Sequence, residues 1–235
     1  MATTRWGRTP RNLDLREVYV WELPVRVPHW INVICVFMLC LTGYLIGNPI
    51  VLGGHIEASE SFFFGTVRFV HFLFSFLFFF NYIYRTYWGF AGNKYARWYN
   101  FVPFKKKHWQ EIWLVIKVDI LQIKHFDIET VGHNRLSSFF YFIIFILYML
   151  QCLTGFGLYA AMSDSWFPKL FAWIIPVLGG DEMTRHIHHV LMWLFIAFSM
   201  FHIYLVFYHD WVERRGIASS MIGGWKYIEK ENPEE

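Results

Sequence analysis

The chain has 235 residues, of which 56% are hydrophobic, 22% aromatic and only 17% charged, against about 25% charged in ordinary soluble domains. With a mean hydropathy of +0.32 and a net charge of +3, this balance excludes a disordered chain, a coiled coil and a basic soluble nucleic-acid binder. It points to lipid as the main solvent. A polar N-terminal arm opens the chain, without the early apolar run of a signal peptide. Four stretches then reach the roughly 20 apolar residues that a spanning helix needs. They are predicted at 29–47, 62–84, 137–161 and 187–208. Between the second and third, residues 109–123 are interrupted by Glu111, Lys117 and Asp119, which predicts a helix lying at the membrane interface. Residues 166–178 are too short to span and contain Pro168 and Pro176, so a packed or interfacial loop is expected there. Cys35, Cys40 and Cys152 form no CxxC pair and no CxxCH, which argues against a zinc cage, a disulfide framework and a covalently attached haem.

Charge placement supplies an orientation, because Lys and Arg mark cytoplasmic loops. The N-terminal arm, the 85–136 connection and the C-terminal tail carry 18 of the 21 basic residues. The expected fold is therefore an all-α integral membrane protein of one domain, residues 1–235. It is a four-transmembrane-helix bundle with cytoplasmic N- and C-termini and a cytoplasmic 85–136 loop. No internal repeat is evident on this reading.

Ionisable residues within spans are costly and point to function. His29, His71, His188, His189 and His202 all lie in or at the spans. His188 and His202 are 14 residues apart, which places them within about 40° of one helix face and about 21 Å apart along the axis. His189 is rotated about 140° from that face. One helix thus presents two imidazoles at different depths, an arrangement suited to two stacked haems that each take a second ligand from another helix. The fourth helix enters from the outer side, so His188 is outer and His202 inner. His29 opens the first helix on the inner side and matches His202. Depth alone leaves His71 ambiguous; exclusion pairs it with His188, and an extension of the second helix toward Trp88 would favour that pairing. Iron held by two imidazoles has no open position, which favours electron transfer over catalysis at the metal. Arg68, one turn before His71, is placed either to pair with a haem propionate or to snorkel to the interface. Gly43 and Gly65 either let a flat macrocycle approach or allow tight helix packing.

At these residues the sequence resembles the cytochrome b subunit of membrane-bound nickel–iron uptake hydrogenases, over nearly the whole chain. Arg26, Pro28, His29 and Trp30 running on to Thr42 and Gly43 match the first-helix signature, and Arg68 to His71 the second-helix segment. Gly132, His133 and Asn134 resemble the segment before the third helix. Arg185, His188, His189, Trp193, Phe198 and His202 resemble the fourth-helix signature, from which His186 departs where a small residue is usual. The resemblance implies a di-haem b membrane anchor in a bacterial inner membrane. Its partners would be a small subunit bearing iron–sulfur clusters and a transmembrane helix, and a large subunit that activates hydrogen. Electrons would enter at the haem of His71 and His188, cross to that of His29 and His202, and reduce membrane quinone near the cytoplasmic side. His133 and Arg135 are the candidate quinone site, the other role for His133 being to order its loop. This chain has no paired CxxC nickel ligands and is not itself the hydrogen-activating subunit. Cytochrome b subunits of formate dehydrogenase or thiosulfate reductase complexes share the four-helix plan. Readings of another class are a histidine-dependent transporter or proton channel, a membrane metal site and a purely structural anchor.

Overall fold

The structure is a computed structural model that describes residues 15–50, 62–102, 106–117, 132, 135–213 and 215–229. Four of its helices are long and apolar enough to cross a membrane: α1 (Leu23–Gly47), α2 (Phe63–Ala91), α4 (Arg135–Ala160) and α7 (Asp181–Glu213). Shorter helices are α3 (Lys106–Val115), α5 (Trp166–Lys169), α6 (Ile174–Val177) and α8 (Ile217–Gly223). The expectation of an all-α chain is corrected by two strands, β1 (Leu15–Tyr19) and β2 (Trp225–Glu229), which pair antiparallel from Leu15 opposite Glu229 to Tyr19 opposite Trp225. Each strand is only five residues long, and its partner lies at the far end of the sequence, so neither run carries a local strand signal.

The helices also outrun their apolar stretches. α1 begins at Leu23 with Pro24 in its first turn, where a missing N–H costs nothing. It carries Pro28 within its second turn and starts before the predicted 29–47 stretch. Asn48 and Pro49 follow its end. α2 continues through Arg85 to Ala91, and this puts His71 near its N-terminal end. α7 starts after Gly179 and Gly180, both at positive φ, with Asp181 and Glu182 complementing the dipole of its first turn. It contains neither proline nor glycine, and Gly216, at φ 70°, follows soon after its end. The predicted interfacial helix begins at Lys106, and its expected second half lies outside the described residues. The Pro-containing stretch forms two single-turn helices, α5 and α6, and no span.

The described residues pack as two compact units. One gathers the chain up to Arg26, Tyr87–Ile143 and the chain from Ile203. Its core is Val20, Trp21, Val25 and Ala96. Glu22 accepts hydrogen bonds from the Trp88 indole (3.1 Å) and the Asn93 backbone N–H (2.9 Å). Gly224, at φ 90°, accepts from the N–H groups of Val20 and Trp21, and a Cβ there would come within 2.7 Å of the Trp21 carbonyl oxygen. Only glycine satisfies that turn.

The other unit, Val27–Thr86 with Ile144–His202, contains all four candidate haem ligands. Its buried centre is Cys35, Phe78, Tyr148, Cys152 and Phe195, with the rings of Phe78 and Tyr148 stacked 3.7 Å apart. A polar knot ties three helices together beside this centre. Asn81 of α2 donates to Asn32 Oδ1 (2.6 Å) and to the Pro28 carbonyl (2.8 Å) on α1. The single hydroxyl hydrogen of Tyr148 on α4 is shared between Asn32 Oδ1 (2.7 Å) and the Phe78 carbonyl (2.6 Å). Interhelical hydrogen bonds in membrane proteins contribute about 0.6–2 kcal/mol each. Asn81→Leu removes two of them and is expected to destabilise the protein by about 1–2 kcal/mol. A lowered thermal midpoint in detergent, with a smaller drop for Tyr148→Phe, is the expected result.

Candidate haem-binding histidines

The histidines of α1 and α7 come together first. The rings of His29 and His202 have centroids 6.3 Å apart at an interplanar angle of 57°. An iron ligated by two imidazoles needs centroids about 6 Å apart, from two metal–nitrogen bonds of about 2 Å and about 1 Å from each nitrogen to its ring centre. The spacing fits that requirement. His29 Nδ1 is buried and has no hydrogen-bond partner among the described residues. His202 stacks on Phe198, with ring centroids 5.5 Å apart and planes 15° from parallel. That contact follows from the four-residue spacing of the two on α7.

His71 of α2 and His188 of α7 are the other two candidates, and they share one kind of surrounding. Each is held by a threonine on a different helix. Thr42 Oγ1 of α1 lies 2.8 Å from His71 Nδ1, and Thr154 Oγ1 of α4 lies 2.8 Å from His188 Nδ1. Both threonines are buried, 5% and 2% exposed. Glycine follows each of them. A Cβ on Gly43 would meet His71 Cε1 at 3.3 Å, and one on Gly155 would meet His188 Cε1 at 3.1 Å. The close approach expected at Gly43 is thus to an imidazole. At Gly65 a Cβ would meet nothing within 4 Å among the described residues. His188 Nε2 also lies 3.2 Å from Gln151 Nε2, while Gln151 Oε1 is buried without a partner among the described residues.

Neither threonine stands out by residue type, because a threonine within an apolar helix usually bonds its own backbone. A signal was nonetheless present. Cys40-Leu41-Thr42-Gly43-Tyr44 on α1 recurs as Cys152-Leu153-Thr154-Gly155-Phe156 on α4, and Arg68-x-x-His71 on α2 recurs as Arg185-x-x-His188 on α7. The chain does contain an internal repeat, short enough to escape a search for long periods.

The remaining candidates are placed as follows. Arg68 is exposed on α2, one turn from His71, and Arg185 is exposed and ion-paired with Asp181. His189 packs against α1, where a Cβ on Gly47 would fall 2.6 Å from its ring. Arg135, at the start of α4, is engaged by Glu111 of α3 at 2.8 Å and lines a small cavity with Asn100, His108, Ile112 and Ser138. His133, its expected companion, lies outside the described residues. Among the described residues there is no cluster of three or more His, Cys, Asp or Glu side chains suited to a bare metal ion. Histidines brought together within apolar helices suit a macrocycle that brings its own four nitrogens.

Residues 20–224 match the family model described as prokaryotic cytochrome b561. The chain is 35% identical over 224 residues to an Azotobacter vinelandii protein, covering 92% of this chain and 91% of that one. It is 39% identical over 218 residues to a Rhizobium leguminosarum protein, covering 90% of each. Both carry the name "Probable Ni/Fe-hydrogenase B-type cytochrome subunit". An Escherichia coli protein named as the corresponding subunit of Ni/Fe-hydrogenase 1 is 34% identical over 215 residues, covering 88% of this chain and 90% of that one. The chain is a multi-pass helical protein and belongs to the prokaryotic cytochrome b561 family.

Proposed function

We propose that this chain is the di-haem b electron-transfer subunit and membrane anchor of a nickel–iron hydrogenase. In this reading it accepts electrons from the iron–sulfur small subunit and delivers them to membrane quinone. The observation that carries the proposal is the approach of His29 to His202, together with the matched threonine contacts of His71 and His188. His29 and His202 stand at the spacing that a shared iron requires, and His71 and His188 are gripped at Nδ1, leaving Nε2 to ligate. The names of the relatives support the hydrogenase assignment over the formate dehydrogenase and thiosulfate reductase alternatives. Haem b with two imidazole ligands supplies one-electron exchange with no open position for oxygen or substrate.

The protein's own residues do the rest. His71 and His188 hold one group, and His29 and His202 the other. Arg68 lies on the same side of α2 as His71 and is placed to neutralise a propionate. The aliphatic and aromatic body of the bundle excludes water, which stabilises neutral imidazoles as ligands. With the basic arms on the cytoplasmic side of the inner membrane, His188 sits toward the outer face and the His29–His202 pair toward the inner one. Quinone would then be reduced near His133 and Arg135, where histidine and the basic residues of the 85–136 connection can deliver protons.

The purified protein is expected to show low-spin b-type bands in a reduced-minus-oxidised spectrum and about two haems per chain by pyridine haemochrome assay. A folded, haem-free protein that still supports hydrogen-dependent quinone reduction would overturn the proposal.

A further inference from the structure

We propose that Thr42 and Thr154 are a matched pair of positioning residues: their hydroxyls fix His71 and His188 as Nδ1-protonated imidazoles and thereby set the potential of the haem these two hold. The inference rests on the ligand reading above and goes beyond it, from which residues bind to what tunes them.

The hydroxyl geometry decides the tautomer. Thr42 Oγ1 donates its only hydrogen to the Met38 carbonyl at 2.6 Å, one turn back on α1. Thr154 Oγ1 does the same to the Leu150 carbonyl at 2.8 Å on α4. Each oxygen is left only with lone pairs to offer, so each must accept from its histidine, and Nδ1 carries the hydrogen. Nε2 is then the unprotonated nitrogen in both rings. At His188 it faces the Gln151 amide, a donor that agrees with a lone pair there and that a metal at Nε2 would displace. Thr42 and Thr154 therefore choose the ligating atom before any metal arrives.

The glycine that follows each threonine completes the grip. Successive residues on a helix point about 100° apart, so the hydroxyl reaches Nδ1 from one side while the bare Cα of glycine lets the Cε1 edge of the ring approach. Contacts of 3.3 Å at Gly43 and 3.1 Å at Gly155 show that even a methyl group would press on the imidazole. Two helices, α1 and α4, thus present the same Thr-Gly notch to histidines on α2 and α7. His29 differs: its Nδ1 is buried and has no hydrogen-bond partner among the described residues.

An acceptor on the far nitrogen makes an imidazole a more basic ligand, which favours the ferric state. Removing the acceptor reverses this. In the full hydrogenase complex or the purified cytochrome, Thr42→Val and Thr154→Val are each expected to shift one of the two b-type components upward in a redox titration and to leave the other where it was. Thr42→Ser and Thr154→Ser, which keep the hydroxyl, are expected to titrate as the unaltered protein. Loss of one haem from the Val variants with retention in the Ser variants supports the same conclusion. The proposal is overturned if the Val variants titrate unchanged, if Ser and Val variants shift alike, if both components move together, or if Ser and Val variants alike lose the haem. His71→Ala and His188→Ala in the same titration separate this from the underlying reading. If either retains both components, the ligand assignment itself fails.

Discussion

His188→Ala is expected to reduce the haem content from about two per chain to about one and to remove one b-type component from the spectrum. His188 is the ligand whose surroundings leave the fewest substitutes. Its neighbour His189 is turned about 100° away and is packed against the backbone of α1 at Gly47, so it has no route into the same position. Gln151 already lies beside Nε2, but a neutral amide is a poor ligand for haem iron compared with imidazole. The notch formed by Thr154 and Gly155 would be left facing a methyl group, and the Thr154 oxygen would lose its donor. Haem quantitation with a difference spectrum checks the result. Two haems in a folded His188→Ala protein would remove His188 from the ligand set.

The second large effect belongs to the other pair. His29→Ala or His202→Ala is expected to suppress hydrogen-dependent quinone reduction while leaving dye-linked hydrogen oxidation by the partner subunits intact. Loss of an outer-shell partner of a metal ligand commonly costs 10–100-fold, and loss of the ligand itself should exceed about 100-fold. The two assays in washed membranes separate a broken electron path from a failed assembly, because a complex that had not assembled would lose its membrane-bound dye activity as well. Unchanged quinone reduction in both variants would reject the assignment of His29 and His202.

The four spans were readable because burial in lipid demands about 20 apolar residues in succession, and each predicted segment falls within or almost wholly within one observed helix. The ends were not. Hydropathy stops where charge begins, but the backbone ladder continues through Arg85 on α2 and back to Asp181 on α7. On α1 the ladder likewise starts before the apolar stretch, with Pro28 tolerated within its second turn. The strands were missed because β1 and β2 lie at opposite ends of the sequence, so neither run has its partner nearby in the chain. At the site, helical rotation alone put His188 and His202 on one face and turned His189 off it, since the angle between residues on one helix is a property of sequence spacing. Partners across helices are not, and so Thr42 entered only as part of a signature, without a role, and Thr154 was passed over, although the repeated Cys-Leu-Thr-Gly run was in view. Arg135 shows the same limit: its contact with Glu111 of α3 is a pairing across elements that sequence position does not announce.

The absence of proline and glycine from α7 has a consequence for how the protein can vary. His188 and His202 sit on one unbroken helix, so the gap between their two metal positions is fixed by peptide geometry and owes nothing to loop length or to the docking of another subunit. Tunnelling rates fall steeply with distance, and here the distance is written into a residue count. Deleting or adding a single residue between these histidines would swing one of them about 100° around the axis and move it about 1.5 Å along it, misdirecting a ligand without changing any side chain. The interval from residue 188 to residue 202 is therefore as strict a requirement as the identity of the histidines at its ends, while the loops elsewhere are free to lengthen.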